Sequence, residues 1–380
     1  MSRNRKTVFL VAGEASGDLH GANLVRAMNR LAPNLHVVGI GGPYLRETGM
    51  EILIDASSLS VVGITEVIAH LPVVLESLSS VKRFLREVRP DLVILIDYPD
   101  FNLRIAKEAK QLGLPVFYYI SPQIWAWREN RVHIIRRRVN HMAVILPFEA
   151  PFYERHGVPV TFVGHPLMDT ELGSLSLNAV LHQAGDDPII GLLPGSRIGE
   201  VHKLLPVMLD AARLFRRRKP SARFLLSQAQ GIPDDLMQSV IQQDGTLPIE
   251  ISRNLLDIFR RSTLVIAASG TVTLQAAIAG VPMIIVYKVS PLSYVLGKML
   301  IRVPFIGLIN LIAGKRIVPE LIQKDADART IADTIFELTS DPERLWAIRN
   351  DLVEARRLLG GPGASERAAR IALSLMERPR

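Results

Sequence analysis

Short apolar runs alternate with stretches of helical spacing along almost the whole chain, in two series separated by one polar stretch. The first series predicts strands at Thr7–Ala12, His36–Ile40, Leu92–Ile96, Val116–Ile120, Met142–Leu146 and Thr161–Val163. The second predicts Ile189–Leu193, Arg223–Ser227, Ile249–Ser252, Leu264–Ala268 and Met283–Tyr287. Strands that take turns with helices make βαβ units, because a parallel pair needs a crossover long enough to hold a helix. The pattern therefore predicts an α/β chain of two doubly wound parallel-sheet domains. Residues 1–166 form the first and 167–345 the second, which suits a length of 380 residues. Between the two series, His165–Pro188 is rich in Gly, Asp, Pro and Ser and reads as the linker. Residues 346–380 are helical in pattern with a break at Gly360-Gly361-Pro362-Gly363, so the last helix could cross back to the first domain.

Composition narrows the chemistry. With no cysteine, disulfides, thiolate metal sites and cysteine nucleophiles are excluded. The basic start (Arg3, Arg5, Lys6) leads into an apolar run too short for a signal peptide, so a cytoplasmic location is expected. A net charge of +8 with 48% hydrophobic residues points to an anionic membrane surface or anionic substrates. Nucleic acid is the competing partner; only 6% aromatic residues and the lack of a recognition module argue against it. The runs Arg136-Arg137-Arg138 and Arg216-Arg217-Arg218-Lys219 read as solvated helix ends. Two stretches, Leu59–Leu85 and Ser290–Ile312, are apolar beyond ordinary need, yet their charges and prolines make a spanning helix a poor reading. Buried core is one reading of them, a surface that dips into anionic lipid the other.

Five segments carry candidate chemistry. Residues 11–21 read Val-Ala-Gly-Glu-Ala-Ser-Gly-Asp-Leu-His-Gly after the first strand, with glycines 13, 17 and 21 allowing a tight turn and close approach. Glu14, Ser16, Asp18 and His20 crowd polar groups there, and no G-x-G-x-x-G fingerprint is present. Residues 92–102 end a buried strand at Asp97, followed by Pro99, Asp100 and Asn102. A carboxylate at that strand end could accept a proton from an attacking hydroxyl, or could cap the next helix. In Ser121–Arg131, the faces of Trp125 and Trp127 could stack a sugar and Arg128 hold a phosphate, or the loop could simply pack. Leu192–Glu200, with Gly195, Ser196 and Arg197, and Ala268–Thr273, with Ser269, Gly270 and Thr271, are two strand-to-helix turns suited to anions. Together the five describe a nucleoside-diphosphate donor in the second domain and an acceptor in the first. His20, His165 and His202 lack metal-ligand spacing, so neither metal nor cofactor is expected.

With these residues assembled, the chain resembles the lipid-A-disaccharide synthase family. The matching segments are 11–18, 96–102, Ser-Pro-Gln-Ile-Trp-Ala-Trp-Arg (121–128), Leu-Pro-Phe-Glu (146–149), Phe-Val-Gly-His-Pro (162–166), Leu-Leu-Pro-Gly-Ser-Arg (192–197), Ala-Ser-Gly-Thr (268–271) and Asn-Leu-Ile-Ala-Gly (310–314). The resemblance implies a GT-B fold, two doubly wound domains facing across a cleft. It implies a metal-independent inverting glycosyltransferase that joins UDP-2,3-diacylglucosamine to 2,3-diacylglucosamine 1-phosphate and releases UDP. It further implies a cytoplasmic protein peripheral to the inner membrane, and it leaves the oligomeric state open, a homodimer included. Under it, Asp97 is the base, with Glu14 and Ser16 bordering the acceptor. Arg197 meets the diphosphate, Ser269, Gly270 and Thr271 line the phosphates, and Asn310 and Gln323 lie in the donor pocket. Gln275 stands where much of the family has a ribose-binding glutamate, so a charge is missing there. The same fold also suits a non-hydrolysing UDP-sugar 2-epimerase, against which the apolar stretches argue. A membrane- or nucleic-acid-binding protein without catalysis would leave the strand-end carboxylates unexplained.

Overall fold

The computed structural model describes residues 5–59, 64–175, 187–242, 247–290 and 303–377. It divides into two compact units, Met1–Asp169 with Gly361–Arg380, and Thr170–Gly360.

The first unit is built on β1 (Lys6–Ala12), β2 (Leu35–Gly41), β3 (Glu51–Asp55), β4 (Leu92–Ile96), β5 (Val116–Tyr119), β6 (His141–Val144) and β7 (Val160–Phe162). They form one parallel sheet in the order β3-β2-β1-β4-β5-β6-β7. The central strands are continuous apolar runs because helices cover both faces; all of β4 is buried. The direction of winding reverses between β1 and β4, which opens a crevice at their carboxyl ends.

The second unit repeats the plan with β8 (Ile189–Leu193), β9 (Arg223–Ser227), β10 (Ile249–Ser252), β11 (Leu264–Ala268), β12 (Met283–Tyr287) and β13 (Glu320–Ile322). The order is β10-β9-β8-β11-β12-β13, again parallel, with the switch between β8 and β11. The expected α/β architecture of two doubly wound sheets is what the chain forms.

Three features differ from expectation. β3 and β13 fall outside the predicted strands: both are sheet edges, and β3 exposes part of each face, so neither carries an uninterrupted apolar run. The first helix begins at Ala15, inside the expected turn of residues 11–21, which places Gly17 and Gly21 within it. Their use is close packing rather than turning: a Cβ at Gly21 would stand 3.0 Å from Ile96 Cδ1. Finally, the expected boundary at 345/346 falls within the helix Pro342–Leu358, which stays in the second unit. There the Arg356 guanidinium donates to the carbonyls of Gly173, Ile278 and Leu175.

The chain changes unit after Gly360, and the helix Ala364–Glu377 packs on Ala15–Leu31 with Ala368, Ala369 and Ala372 fully buried. Small side chains let the two helices approach closely. Asp169 ties that last helix down, accepting the backbone N–H groups of Gly363 (2.6 Å), Ala364 (3.1 Å) and Ser365 (3.0 Å) and the Ser365 hydroxyl (2.9 Å). His20, expected in the first turn with Glu14, lies instead half-buried within the helix Ala15–Leu31, beside the buried His165. Burial pushes His20 down to about 4 and His165 to about 3, so neither carries charge at neutral pH.

Parts of three expectations lie outside the described residues: 60–63 of the Leu59–Leu85 stretch, 176–186 of the linker and 291–302 of the Ser290–Ile312 stretch. Among the described residues no helix is long and apolar enough to cross a membrane. Within Ile64–Val88, Leu78, Val81 and Leu85 enter the core of the first unit, while Val73 and Leu75 are exposed.

Asp169→Ala is expected to destabilise the first unit by about 1–2 kcal/mol, the usual worth of a helix N-cap. Thermal unfolding measures the loss, and amide exchange should localise it to residues 364–377. An unchanged transition would contradict the anchoring role.

Candidate functional site

In the first unit the turns after β1 and β4 define the crevice at the switch point. After Ala12, Gly13 turns the chain, and Glu14 is the N-cap residue of Ala15–Leu31 with extended backbone and no side-chain cap bond. Ser16 sits in the first helical turn; both side chains are exposed. After Ile96, Asp97 and Tyr98 each adopt φ +44°, a left-handed pair that Pro99 follows at the start of the helix Pro99–Gln111. Such a backbone costs on the order of 1–2 kcal/mol per residue. The Tyr98 ring lies over Gly13, where a Cβ would fall 2.6 Å from the ring, so only glycine fits.

Burial, reinforced by the Glu14 charge, pushes the Asp97 carboxyl up to about 6. A carboxylate so placed is ionised at neutral pH yet basic enough to accept a proton. Its backbone carbonyl accepts from the Tyr118 hydroxyl and from Asn102 Nδ2 (2.7 Å), and Asn102 Nδ2 also donates to the Ile96 carbonyl (3.0 Å). Asp18 leaves the expected cluster. Its buried carboxylate accepts the N–H groups of Gly42 (2.6 Å), Tyr44 (2.9 Å) and Leu45 (3.2 Å), closing the short helix Pro43–Arg46.

The two tryptophans of Ser121–Arg131 separate. Trp125 packs inward: its ring meets Phe148 edge-on at 4.7 Å, and its Nε1 donates to Glu149 (3.0 Å). Glu149 also accepts the N–H groups of Leu146 and Ile145; burial outweighs these donors and pushes its carboxyl up to about 7. Trp127 faces outward with the Arg128 guanidinium 4.0 Å above its ring. Arg128, at 3.6 Å, and Arg131 both pair with Asp100, so Trp127, Arg128 and Asp100 make one surface cluster.

In the second unit a cavity of about 420 Å³ opens over the carboxyl ends of β8, β9 and β11. Gly195, Ser196 and Arg197 line one side, Ser269, Gly270 and Thr271 the other, with Gln275 one turn further along the same helix. Gly195 has φ +117°, and a Cβ there would stand 2.4 Å from Glu200 Oε2. Glu200 needs that space to accept the Ser196 N–H (3.2 Å) and sits 3.7 Å from Arg197. The first turn of Thr271–Ile278 presents N–H groups and the positive end of its dipole to the cavity. The side chain of Arg197 is exposed at the rim.

Two residues expected in this pocket stand elsewhere. Asn310 is fully buried and spends its whole amide on structure: Nδ2 donates to Val318 O (3.0 Å) and Glu320 (2.7 Å), while Oδ1 accepts Ile317 N–H (2.9 Å) and Val318 N–H (3.1 Å). Gln323 pairs by both ends of its amide with the Val289 backbone (2.7 and 3.2 Å). Neither lines the cavity. Sequence reasoning missed Gln228 and Arg253, which do line it. They follow β9 and β10, and their positions at the carboxyl ends of strands on the β8 side of the switch point were the available signal.

Solved structures share this arrangement. S. aureus MnaA, solved with UDP, superposes with a TM-score of 0.64 over 98% of this chain and 99% of that one, at 14% identity. A calicheamicin glycosyltransferase gives 0.61 over 99% of each chain at 15% identity. The Neisseria meningitidis UDP-GlcNAc 2-epimerase gives 0.58 over 97% of this chain and 98% of that one, at 12% identity. Two doubly wound parallel-sheet units thus define a GT-B fold, the architecture of glycosyltransferases and sugar-nucleotide epimerases. The sequence is more particular. Residues 8–375 match the lipid-A-disaccharide synthetase family model, and the chain belongs to that family. It is 47% identical over 378 residues to the lipid-A-disaccharide synthase of Geobacter metallireducens, covering 99% of this chain and 98% of that one. Against that of Coxiella burnetii it is 40% identical, with 98% of this chain and 99% of the other covered.

Gly195→Ala should displace Glu200 from the Ser196 N–H and weaken UDP binding by about tenfold or more, roughly one hydrogen-bonded contact. Calorimetric titration with UDP reads the effect. An affinity within twofold of the parent would remove the β8 turn from the nucleotide site.

Proposed function

We propose that this chain is an inverting, metal-independent glycosyltransferase that condenses UDP-2,3-diacylglucosamine with 2,3-diacylglucosamine 1-phosphate. The products are a β-1,6-linked disaccharide 1-phosphate and UDP. One observation carries the reading: a family member has a strand-end carboxyl held near 6 in one unit and, in the other, a cavity lined by two strand-to-helix turns and an arginine. An epimerase shares the fold alone, at 12% identity.

In this mechanism the acceptor's 6-hydroxyl lies within hydrogen-bond reach of Asp97. Asp97 takes its proton as the oxygen attacks the anomeric carbon from the face opposite the diphosphate. The bond from that carbon to UDP breaks, and configuration inverts. Arg197 and the N–H groups of the Ser269-Gly270-Thr271 turn offset the charge that grows on the departing diphosphate. Gln275 hydrogen-bonds the ribose without adding charge. Glu14 and Ser16 orient the acceptor, and Glu14 contributes by holding Asp97 basic. The Trp127, Arg128 and Asp100 cluster flanks the acceptor side.

Both substrates carry acyl chains, so we place the protein at the cytoplasmic face of the inner membrane as a peripheral protein. A net charge of +8 and the exposed Val73 and Leu75 support contact with anionic lipid.

Asp97→Asn should bind UDP as the parent does while turnover falls by about two to four orders of magnitude. Turnover near the parent's would sink the assignment. In the parent, kcat should fall as pH drops through about 6, because protonated Asp97 cannot accept the hydroxyl proton. A pH–rate profile checks this; an acid limb at the ordinary carboxylate value would contradict it. Flotation with anionic vesicles tests the membrane contact, and failure to float would refute it.

A further inference from the structure

We propose that Tyr118 and Asn102 are positioning residues for catalysis, clamping the backbone carbonyl of Asp97 so that its side chain stays in the crevice. The inference rests on the reading of Asp97 as the base.

Neither side chain can touch a substrate, since both are fully buried. What they share is one atom, the Asp97 carbonyl oxygen, and they reach it from different elements. The Tyr118 hydroxyl comes from β5, the strand beside β4, and Asn102 Nδ2 from the first turns of Pro99–Gln111. The donor roles are unambiguous. A carbonyl can only accept, so the tyrosine must donate, and the asparagine must turn its NH2 towards the Ile96 and Asp97 carbonyls. By contrast the Asp97 N–H is held weakly, 3.3 Å from Ile120 O and 3.4 Å from Tyr119 O.

Asp97 stands at φ +44°, a backbone that relaxes towards the extended region unless something holds it. Rotation about that φ would swing the carboxyl out of the crevice, and the doubly bonded carbonyl resists it. The charged and titratable groups around the clamp are Glu14 from the β1 turn, Asp100 on the same helix as Asn102, Arg131, and Tyr98 and Tyr153. Loosened, Asp97 would gain water and lose the burial that raises it, so its protonation would move to lower pH.

The test compares Tyr118→Phe, Asn102→Ala and Asp97→Asn, alone and in pairs, by kcat, KM for the UDP-sugar, UDP affinity and pH–rate profile. Tyr118→Phe keeps the ring and removes one hydrogen bond. Its kcat should fall about tenfold, with UDP affinity within twofold of the parent and the acid limb moved down by about half a pH unit or more. Added to Asp97→Asn, it should change the residual rate by less than twofold, because its effect runs through Asp97. Unchanged kcat and acid limb in Tyr118→Phe would overturn the proposal. So would a tenfold loss that persists in the Asp97→Asn background. If Asn102→Ala fails to fold, Tyr118→Phe decides alone. Near-normal turnover of Asp97→Asn would instead overturn the base assignment and this inference with it. An inactive Asp97→Asn beside a silent Tyr118→Phe would overturn this inference only.

Discussion

The left-handed pair Asp97–Tyr98 is the constraint on which the first unit's chemistry depends. A strand that simply ran into a helix would carry Asp97 past the end of the sheet. Two residues at φ +44° stop the chain at once and let Pro99 start the helix. The strain is held by neighbours: the Tyr98 ring against Gly13, the Tyr98 hydroxyl on Leu59 O at 3.2 Å, and the hydrogen bonds on the Asp97 carbonyl. Because Gly13 precedes Glu14, the same contact that accepts the Tyr98 ring brings the β1 and β4 turns together. The Asp97 carboxyl is raised as a consequence, by burial first and Glu14 second.

The second unit meets the opposite demand. If its cavity takes a diphosphate, as proposed, the ligand arrives already charged and calls for donors that do not titrate. Backbone N–H groups at a helix start and an arginine supply them. Gly195 and Glu200 show how closely the β8 turn is built, since the carboxylate occupies the space a side chain would take. Gln275 lines the same cavity with an uncharged amide.

Much of the fold was legible because buried parallel strands must be apolar throughout. β4, β8, β9, β11 and β12 fall on the predicted apolar runs, and the edge strand β10 (Ile-Glu-Ile-Ser) was caught by its alternation instead. Edge strands such as β3 and β13 have one side unpaired and tolerate polar residues, so the same signal fails. Motif residues were legible as a set and less so in their roles. Asp18, Asn310 and Gln323 stood in or beside recognisable segments, and the structure spends each on backbone groups. A buried polar side chain with every bond satisfied looks the same in sequence as one that faces a ligand. Trp125 and Trp127, two residues apart, point to opposite fates for the same reason.

By itself the sequence determined the class of fold, the family and the small set of groups able to do chemistry, because periodicity and residue type are properties of the chain. It also held the glycines without which the turns at Gly13 and Gly195 could not form. Only tertiary structure decided which of those groups are free to act. Desolvation, the approach of Glu14 and the fastening of the Asp97 carbonyl all come from residues far apart in the chain. A carboxyl becomes a base near neutral pH through its surroundings, and those surroundings exist only once β1, β4 and β5 lie side by side.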